Sequence, residues 1–182
     1  MTGEQIRVAV NGYGVIGKRV AAAVALQDDM TLVGVADLSA DWRLRVAADQ
    51  GVPVFAAAPD AAEAMGAARI DVRGALGDLL GSTDVVVDCT PKTVAAGNVA
   101  HYAKRGLKFI VQGGEAHRVT GHSFVAESSY AGAVGVAATR VVSCNTTAIV
   151  RTLGALKRAG LLRRARGTLL RRATDPWESD HS

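Results

Sequence analysis

Ile6-Arg7-Val8-Ala9-Val10-Asn11-Gly12-Tyr13-Gly14-Val15-Ile16-Gly17 is the stretch on which the reading of the whole chain turns. A short apolar, β-branched run passes straight into G-x-G-x-x-G, and a helical pattern from Val15 to Leu26 follows. Three glycines alone are a weak signal, but a strand before them and a helix after them supply the setting that the physics requires. Gly12 makes the tight turn, Gly14 lets a pyrophosphate approach the backbone, and Gly17 allows close helix-to-strand packing. The helix N-terminus then offers unpaired N–H donors and a partial positive charge to phosphate. About twenty residues past Gly17, at the end of the second apolar run, stands Asp37, placed to accept hydrogen bonds from a ribose 2′-hydroxyl. That favours NAD. Arg43 and Arg45 lie just beyond, within reach of a 2′-phosphate, so NADP stays open.

Working outward, the same type of short apolar run recurs at Thr31 to Ala36, Asp84 to Asp88 and Lys108 to Val111. Nearly continuous apolar strands are those covered on both faces, which suits a parallel sheet. Helices are predicted at Trp42 to Gln50, Ala61 to Met65, Arg73 to Leu80 and Val94 to Lys104, several entered through Asp, Ser or Pro and left near Gly. The alternation defines an α/β chain with a Rossmann-type doubly wound parallel sheet. Arg140 to Ser143 reads as one more strand and Asn145 to Ala159 as a helix. Ala165 to Arg172 then reads as the opening strand of a different unit. The expected division is a dinucleotide-binding domain over 1–140 and the beginning of an α+β catalytic domain, apparently truncated, over 141–182. No internal repeat or low-complexity tract occurs.

The 182 residues are 49% hydrophobic and 21% charged, the composition of one globular domain or slightly more. No apolar stretch approaches the roughly 20 residues that span a bilayer. The first residues lack the basic head and apolar core of a secretory signal, so a cytoplasmic address is the expectation. Eight of the 21 basic residues fall between Arg151 and Arg172 with no acid among them. With aromatics only 4% of the chain, that segment lacks the interleaved rings of a nucleic-acid surface. It reads as a solvated face with a few arginines available to a phosphorylated ligand.

Two turns at strand ends, Thr90-Pro91 and Gln112-Gly113-Gly114, should face the ligand crevice, since loops at the carboxyl ends of strands line it in open α/β sheets; an ordinary strand-ending turn is the other reading of each. Cys89, closing an apolar strand, reads as a small core residue. Cys144 lies where a strand gives way to a helix, and there the helix dipole and free N–H groups favour a thiolate. Spacing alone leaves it balanced between a nucleophile and a buried thiol at a capped helix start. Neither disulfides nor a metal site is expected.

Asn11 to Val20, Asp88-Cys89-Thr90-Pro91, Gln112-Gly113-Gly114-Glu115 and Ser143-Cys144-Asn145-Thr146-Thr147 together resemble the archaeal-type (type 2) glyceraldehyde-3-phosphate dehydrogenases, over about Ile6 to Pro176. The resemblance implies that Cys144 is the nucleophile and that Ser143 and Asn145 hold the aldehyde substrate. It also implies that Val15, Ile16, Gly114 and Arg172 contact the dinucleotide. The implied reaction is phosphorylating oxidation of glyceraldehyde 3-phosphate to 1,3-bisphosphoglycerate: the Cys144 thiolate adds to the aldehyde, hydride passes to the nicotinamide, and inorganic phosphate releases the thioester. A homotetramer is implied as well, with no nucleic-acid or membrane partner.

The chain departs from that family in two ways. The family's general base is a histidine well downstream of the cysteine, and His101, His117, His122 and His181 match no such position; the first three read as surface residues. Loss of a positioned base costs roughly 10²- to 10⁴-fold in rate, so the 182-residue chain is expected to be poorly active. Asp37 stands where the family more often tolerates both cofactors. The alternatives are a short dinucleotide-binding module without turnover and a Cys-dependent dehydrogenase of another semialdehyde.

Overall fold

The computed structural model describes residues 5–112 and 114–170. Two compact units divide it, Met1–Val142 and Ser143–Ser182. In the first, eight strands form one sheet in the order β4-β3-β2-β1-β5-β6-β8-β7, and every pairing is parallel. The strands are β1 (Ile6–Asn11), β2 (Met30–Asp37), β3 (Val54–Ala56), β4 (Val72–Ala75), β5 (Val85–Asp88), β6 (Lys108–Val111), β7 (Ser123–Phe124) and β8 (Ala138–Val141). The helices between them are α1 (Val15–Ala25), α2 (Trp42–Asp49), α3 (Pro59–Ala67), α4 (Leu76–Gly81), α5 (Lys92–Lys104) and α6 (Ala126–Ala133), with a 3-10 turn at His117–Val119. This is the doubly wound Rossmann-type α/β fold expected from the sequence.

Parallel strands cannot be joined by tight turns, so each crossover lays a helix on a sheet face and the strands must be apolar on both sides. Val10, Val35 and Val54 point to one face, where they pack with Leu44 of α2 and Ala61 and Met65 of α3. Ala9 and Ala36, one residue along, meet Leu79 of α4 on the other face. Val86, Phe109 and Val111 pack with Ala95 and Tyr102 of α5. Each such valine or leucine contributes roughly 1.5–3 kcal/mol on burial. Pro59 opens α3 at a position whose N–H would be unpaired anyway. Asp41 caps α2 by accepting from the Arg43 backbone N–H at 2.9 Å.

Two expectations need correction. The helix predicted over Arg73 to Leu80 is split: Val72 and Ala75 pair with Val54 and Ala56 as β4, and α4 begins only at Leu76. Gly74 disfavours helix, and the Asp78 carboxylate stops the turn by accepting from the Ala75 N–H at 2.8 Å. The strand predicted at Ala165 to Arg172 does not form over Ala165 to Leu170, which have no regular secondary structure. A strand needs a ladder partner, and no described strand pairs with this stretch; Arg171 and Arg172 lie outside the described residues. The second unit instead holds α7 (Cys144–Arg158). No helix of the described residues is long and apolar enough to cross a membrane.

Sheet order reverses at β1: β2, β3 and β4 run to one side and β5 starts the other. Asn11 pairs with Ala36 on one flank and Asp88 on the other, Val111 stands level with Asp88, and Arg140 with Val111. These residues mark the carboxyl edge of the sheet, where the ligand crevice of an open α/β fold lies.

Candidate functional site

The glycine loop sits at the reversal point, and each glycine has its own constraint. Gly12 has φ +90°, and a Cβ there would lie 2.8 Å from the Cys89 carbonyl carbon and the Thr90 nitrogen. A Cβ at Gly17 would lie 1.8 Å from the Gly12 carbonyl oxygen. At Gly14, by contrast, a Cβ would meet nothing within 4 Å, so the space over the middle glycine is open. Gly14 is also the N-cap of α1 and brings no side-chain hydrogen bond to the first turn. The helix therefore starts with free N–H groups facing an open cradle, which fits a phosphate. Val15 is half-buried there, and Ile16 is 47% exposed.

Asp37 closes β2, and its carboxylate is engaged by the surrounding backbone. Oδ2 accepts from the Tyr13 N–H at 2.5 Å. Oδ1 accepts from the N–H groups of Leu38 and Ser39 and from the Ser39 hydroxyl at 2.7–2.9 Å. The acid thus fastens the glycine loop to the turn after β2. Arg43 is ion-paired with Asp41, while Arg45 is exposed.

Across the reversal, Asp88 has no exposed surface. Its Oδ1 accepts from the Thr90 N–H at 2.9 Å and the Thr90 hydroxyl at 2.5 Å. Its Oδ2 accepts from Asn98 Nδ2 at 2.9 Å and the Tyr102 hydroxyl at 2.6 Å. Tyr102 in turn accepts from Asn11 Nδ2 at 2.8 Å. Burial, then the charge and hydrogen bond of Asp88, hold the Tyr102 hydroxyl far above its ordinary range. Sequence reading missed this network. The available signal was the spacing of Asn98 and Tyr102, four residues apart and so on one face of α5, below an acid that ends an apolar strand.

Gly114 is exposed with φ +87° and no atom within 4 Å of a Cβ, so it leaves open room after β6; Gly113 lies outside the described residues. The loop beyond is pinned by Arg140, whose Nη1 donates to the Glu115 carbonyl at 2.9 Å and whose Nε donates to Ser123 Oγ at 2.8 Å. His117 Nδ1 lies 2.9 Å from the same hydroxyl. His122 is half-buried rather than a surface residue, with Nδ1 2.7 Å from Thr139 Oγ1. His101 is exposed. His181 lies outside the described residues.

In the second unit, Ser143 caps α7: its Oγ accepts from the Thr146 N–H at 3.2 Å. Cys144 is the first helical residue and is exposed, which removes the buried-thiol reading. Asn145 follows, half-buried. Arg172 lies outside the described residues. Cys89 is the opposite kind of thiol: burial, with the Asp88 charge adding, pushes it up to about 12.

A doubly wound sheet with an open glycine cradle at its reversal and an acid closing β2 defines a dinucleotide-binding domain. The chain belongs to the family described as dihydrodipicolinate reductase, N-terminus, whose model matches residues 6–114. Over nearly its whole length it is similar to archaeal proteins named glyceraldehyde-3-phosphate dehydrogenase. That of Methanococcoides burtonii is 49% identical over 96% of this chain and 52% of its own length. That of Archaeoglobus fulgidus is 46% identical over 96% of this chain and 51% of its own. The chain spans about half the length of the curated relatives it matches. Among solved structures, the WlbA dehydrogenase from Bordetella pertussis in complex with NADH and UDP-GlcNAcA aligns with 62% of this chain and 28% of its own, at 23% identity and a TM-score of 0.46.

Proposed function

We propose that this chain carries the dinucleotide-binding domain and the nucleophile of an NAD(P)-dependent enzyme that oxidises glyceraldehyde 3-phosphate and captures the product with inorganic phosphate. The observation that carries the reading is the exposed thiol of Cys144 on the first turn of α7, in a chain up to 49% identical to archaeal dehydrogenases of that name. The open cradle at Gly14 supports a pyrophosphate site.

Gly12, Gly14, Val15, Ile16 and Gly17 would hold the pyrophosphate through backbone N–H groups, and Asp37 would take the ribose hydroxyls. The Asp37 carboxylate repels a 2′-phosphate, so NAD is preferred over NADP. Gly114 and Arg172 complete the cofactor contacts. When bound, the nicotinamide supplies the hydride acceptor. Cys144 as thiolate adds to the aldehyde carbon, with Ser143 and Asn145 orienting the aldehyde; after hydride loss the carbon is held as a thioester on Sγ. Attack by inorganic phosphate breaks the C–S bond, frees the thiolate and leaves an acyl phosphate, 1,3-bisphosphoglycerate. The assembly is a homo-oligomer, a tetramer by the family's pattern.

The test uses the purified chain with NAD and glyceraldehyde 3-phosphate. Without phosphate, up to one equivalent of reduced nicotinamide per chain is expected, with a matching acyl adduct on Cys144 by mass spectrometry; adding phosphate discharges it. Cys144→Ser should keep NAD binding and lose the adduct. An adduct elsewhere, or undiminished reduction by Cys144→Ser, overturns the assignment.

A further inference from the structure

Asp88 is a carboxylate with no exposed surface, and the four groups that donate to it, the Thr90 N–H and hydroxyl, Asn98 Nδ2 and the Tyr102 hydroxyl, are all neutral. No ion pair among the described residues involves it. Among the described residues its charge therefore meets hydrogen-bond donors but no cation, and, being inside the protein, it is poorly screened by salt. Its position is defined by two contacts. It ends β5 at the carboxyl edge, level with Asn11, and the turn that it organises lies against the glycine loop, with the Thr90 nitrogen 2.8 Å from where a Gly12 Cβ would stand.

A dinucleotide laid across this reversal has its pyrophosphate at the glycine loop and its adenosine on the β2 side, where Asp37 stands. The second nucleoside then falls over the β5 and β6 side, beside Asp88. The two redox forms of a nicotinamide differ there by one unit of charge: the oxidised ring is a cation and the reduced ring is neutral. Asp37 faces the half that is identical in both forms, so its effect cancels when the two affinities are compared.

Resting on the proposed dinucleotide reading, we infer that Asp88 sets the redox preference of this site, holding the oxidised cofactor more tightly than the reduced one. A dehydrogenase that takes up the oxidised form and releases the reduced form gains from that bias at the release step. Asp88 acts here through charge, without touching the reacting atoms.

The experiment is equilibrium binding of three probes, NAD+, NADH and ADP-ribose, to the full chain and two variants. Asp88→Asn removes the charge. Asn98→Lys keeps the carboxylate and brings an ammonium beside it from a half-buried position, so the proposal remains testable if the first variant folds poorly. In each, the preference for NAD+ over NADH should fall on the order of ten-fold, the scale of a unit charge in a partly buried medium, while ADP-ribose, which lacks the nicotinamide, reads separately any change at the pyrophosphate that all three probes share. As a control, Thr90→Ala weakens the turn but keeps the charge, and should move both nicotinamide affinities together. An unchanged preference in both charge variants, with all three probes still bound, overturns this inference and leaves the dinucleotide reading intact. Failure of the unaltered chain to bind any of the three overturns that reading and the inference together.

Discussion

Gly17 packs so tightly beneath Gly12 that a Cβ on it would overlap the Gly12 carbonyl oxygen at 1.8 Å. Gly14, between them, has open space instead and a φ of −72° that any residue can adopt. The two positions should therefore separate folding from binding. Gly17→Ala forces backbone apart and is expected to cost at least about 3 kcal/mol, with dinucleotide binding lost as well. Gly14→Ala should leave stability within about 0.5 kcal/mol and weaken NAD binding roughly ten-fold or more, since the added methyl enters the open space proposed for the phosphate. Chemical denaturation and calorimetric titration of both variants make the comparison; equal stability losses would reject it.

Asp37 is a clasp for the surrounding backbone and, in the proposed function, the acceptor of the ribose hydroxyls; two substitutions divide these roles. Asp37→Ala removes the acceptor for the Tyr13, Leu38 and Ser39 N–H groups and should cost about 1–3 kcal/mol. Asp37→Asn keeps an amide oxygen in place of Oδ1, so it should lose less stability. It also removes the charge that opposes a 2′-phosphate, and the ratio of NADP to NAD affinity should rise about ten-fold. If that ratio stays constant in paired titrations, Asp37 is a clasp alone.

Tyr102 has no exposed surface and bridges Asn11 to Asp88 with one hydroxyl. Tyr102→Phe strands the buried Asn11 donor on one side and leaves Asp88 Oδ2 with Asn98 as its remaining donor on the other. A loss of about 1–3 kcal/mol is expected, with the denaturant slope unchanged because the same surface is buried. Asn98→Ala, at a half-buried position where water can replace the amide, should cost less than half as much. Denaturation curves that reverse this order would show the network to be peripheral.

Much of this fold was legible because parallel sheets write themselves as apolar runs separated by helical spacing, and β1, β2, β5 and β6 were all found within a residue or two. Short strands were not. Val54–Ala56 and Ser123–Phe124 are three and two residues long, too short for any periodicity, and they exist because neighbouring strands offer a ladder. The Arg73 error has the same origin, since pairing with β3 overrode a helical pattern. The glycine loop and Asp37 could be placed at the carboxyl edge because their spacing is set by the turn and strand length. The Asp88 network is harder to read, because the spacing of Asn98 and Tyr102 marks one face of α5 but does not say which strand end that face meets. The exposure of Cys144 likewise depends on how the chain packs, which spacing does not encode.

The two cysteines should answer to alkylation in opposite ways. Cys144 is exposed, whereas Cys89 is partly buried and its thiol is pushed up to about 12 by burial and by Asp88. At about pH 8, iodoacetamide should modify Cys144 and spare Cys89 until the chain is unfolded, because the thiolate is the reactive form. The same shift carries a sign for stability. The folded state holds the Cys89 proton more tightly than the unfolded state, so its contribution is complete below about pH 9 and is lost as the pH rises toward about 12. Tyr102, held up for the same reasons, acts in the same direction. Cys89→Ala should therefore flatten the alkaline fall in denaturation midpoint without abolishing it. Superimposable pH profiles for the variant and the unaltered chain would contradict the burial of this thiol, as would rapid labelling of Cys89 in the folded state.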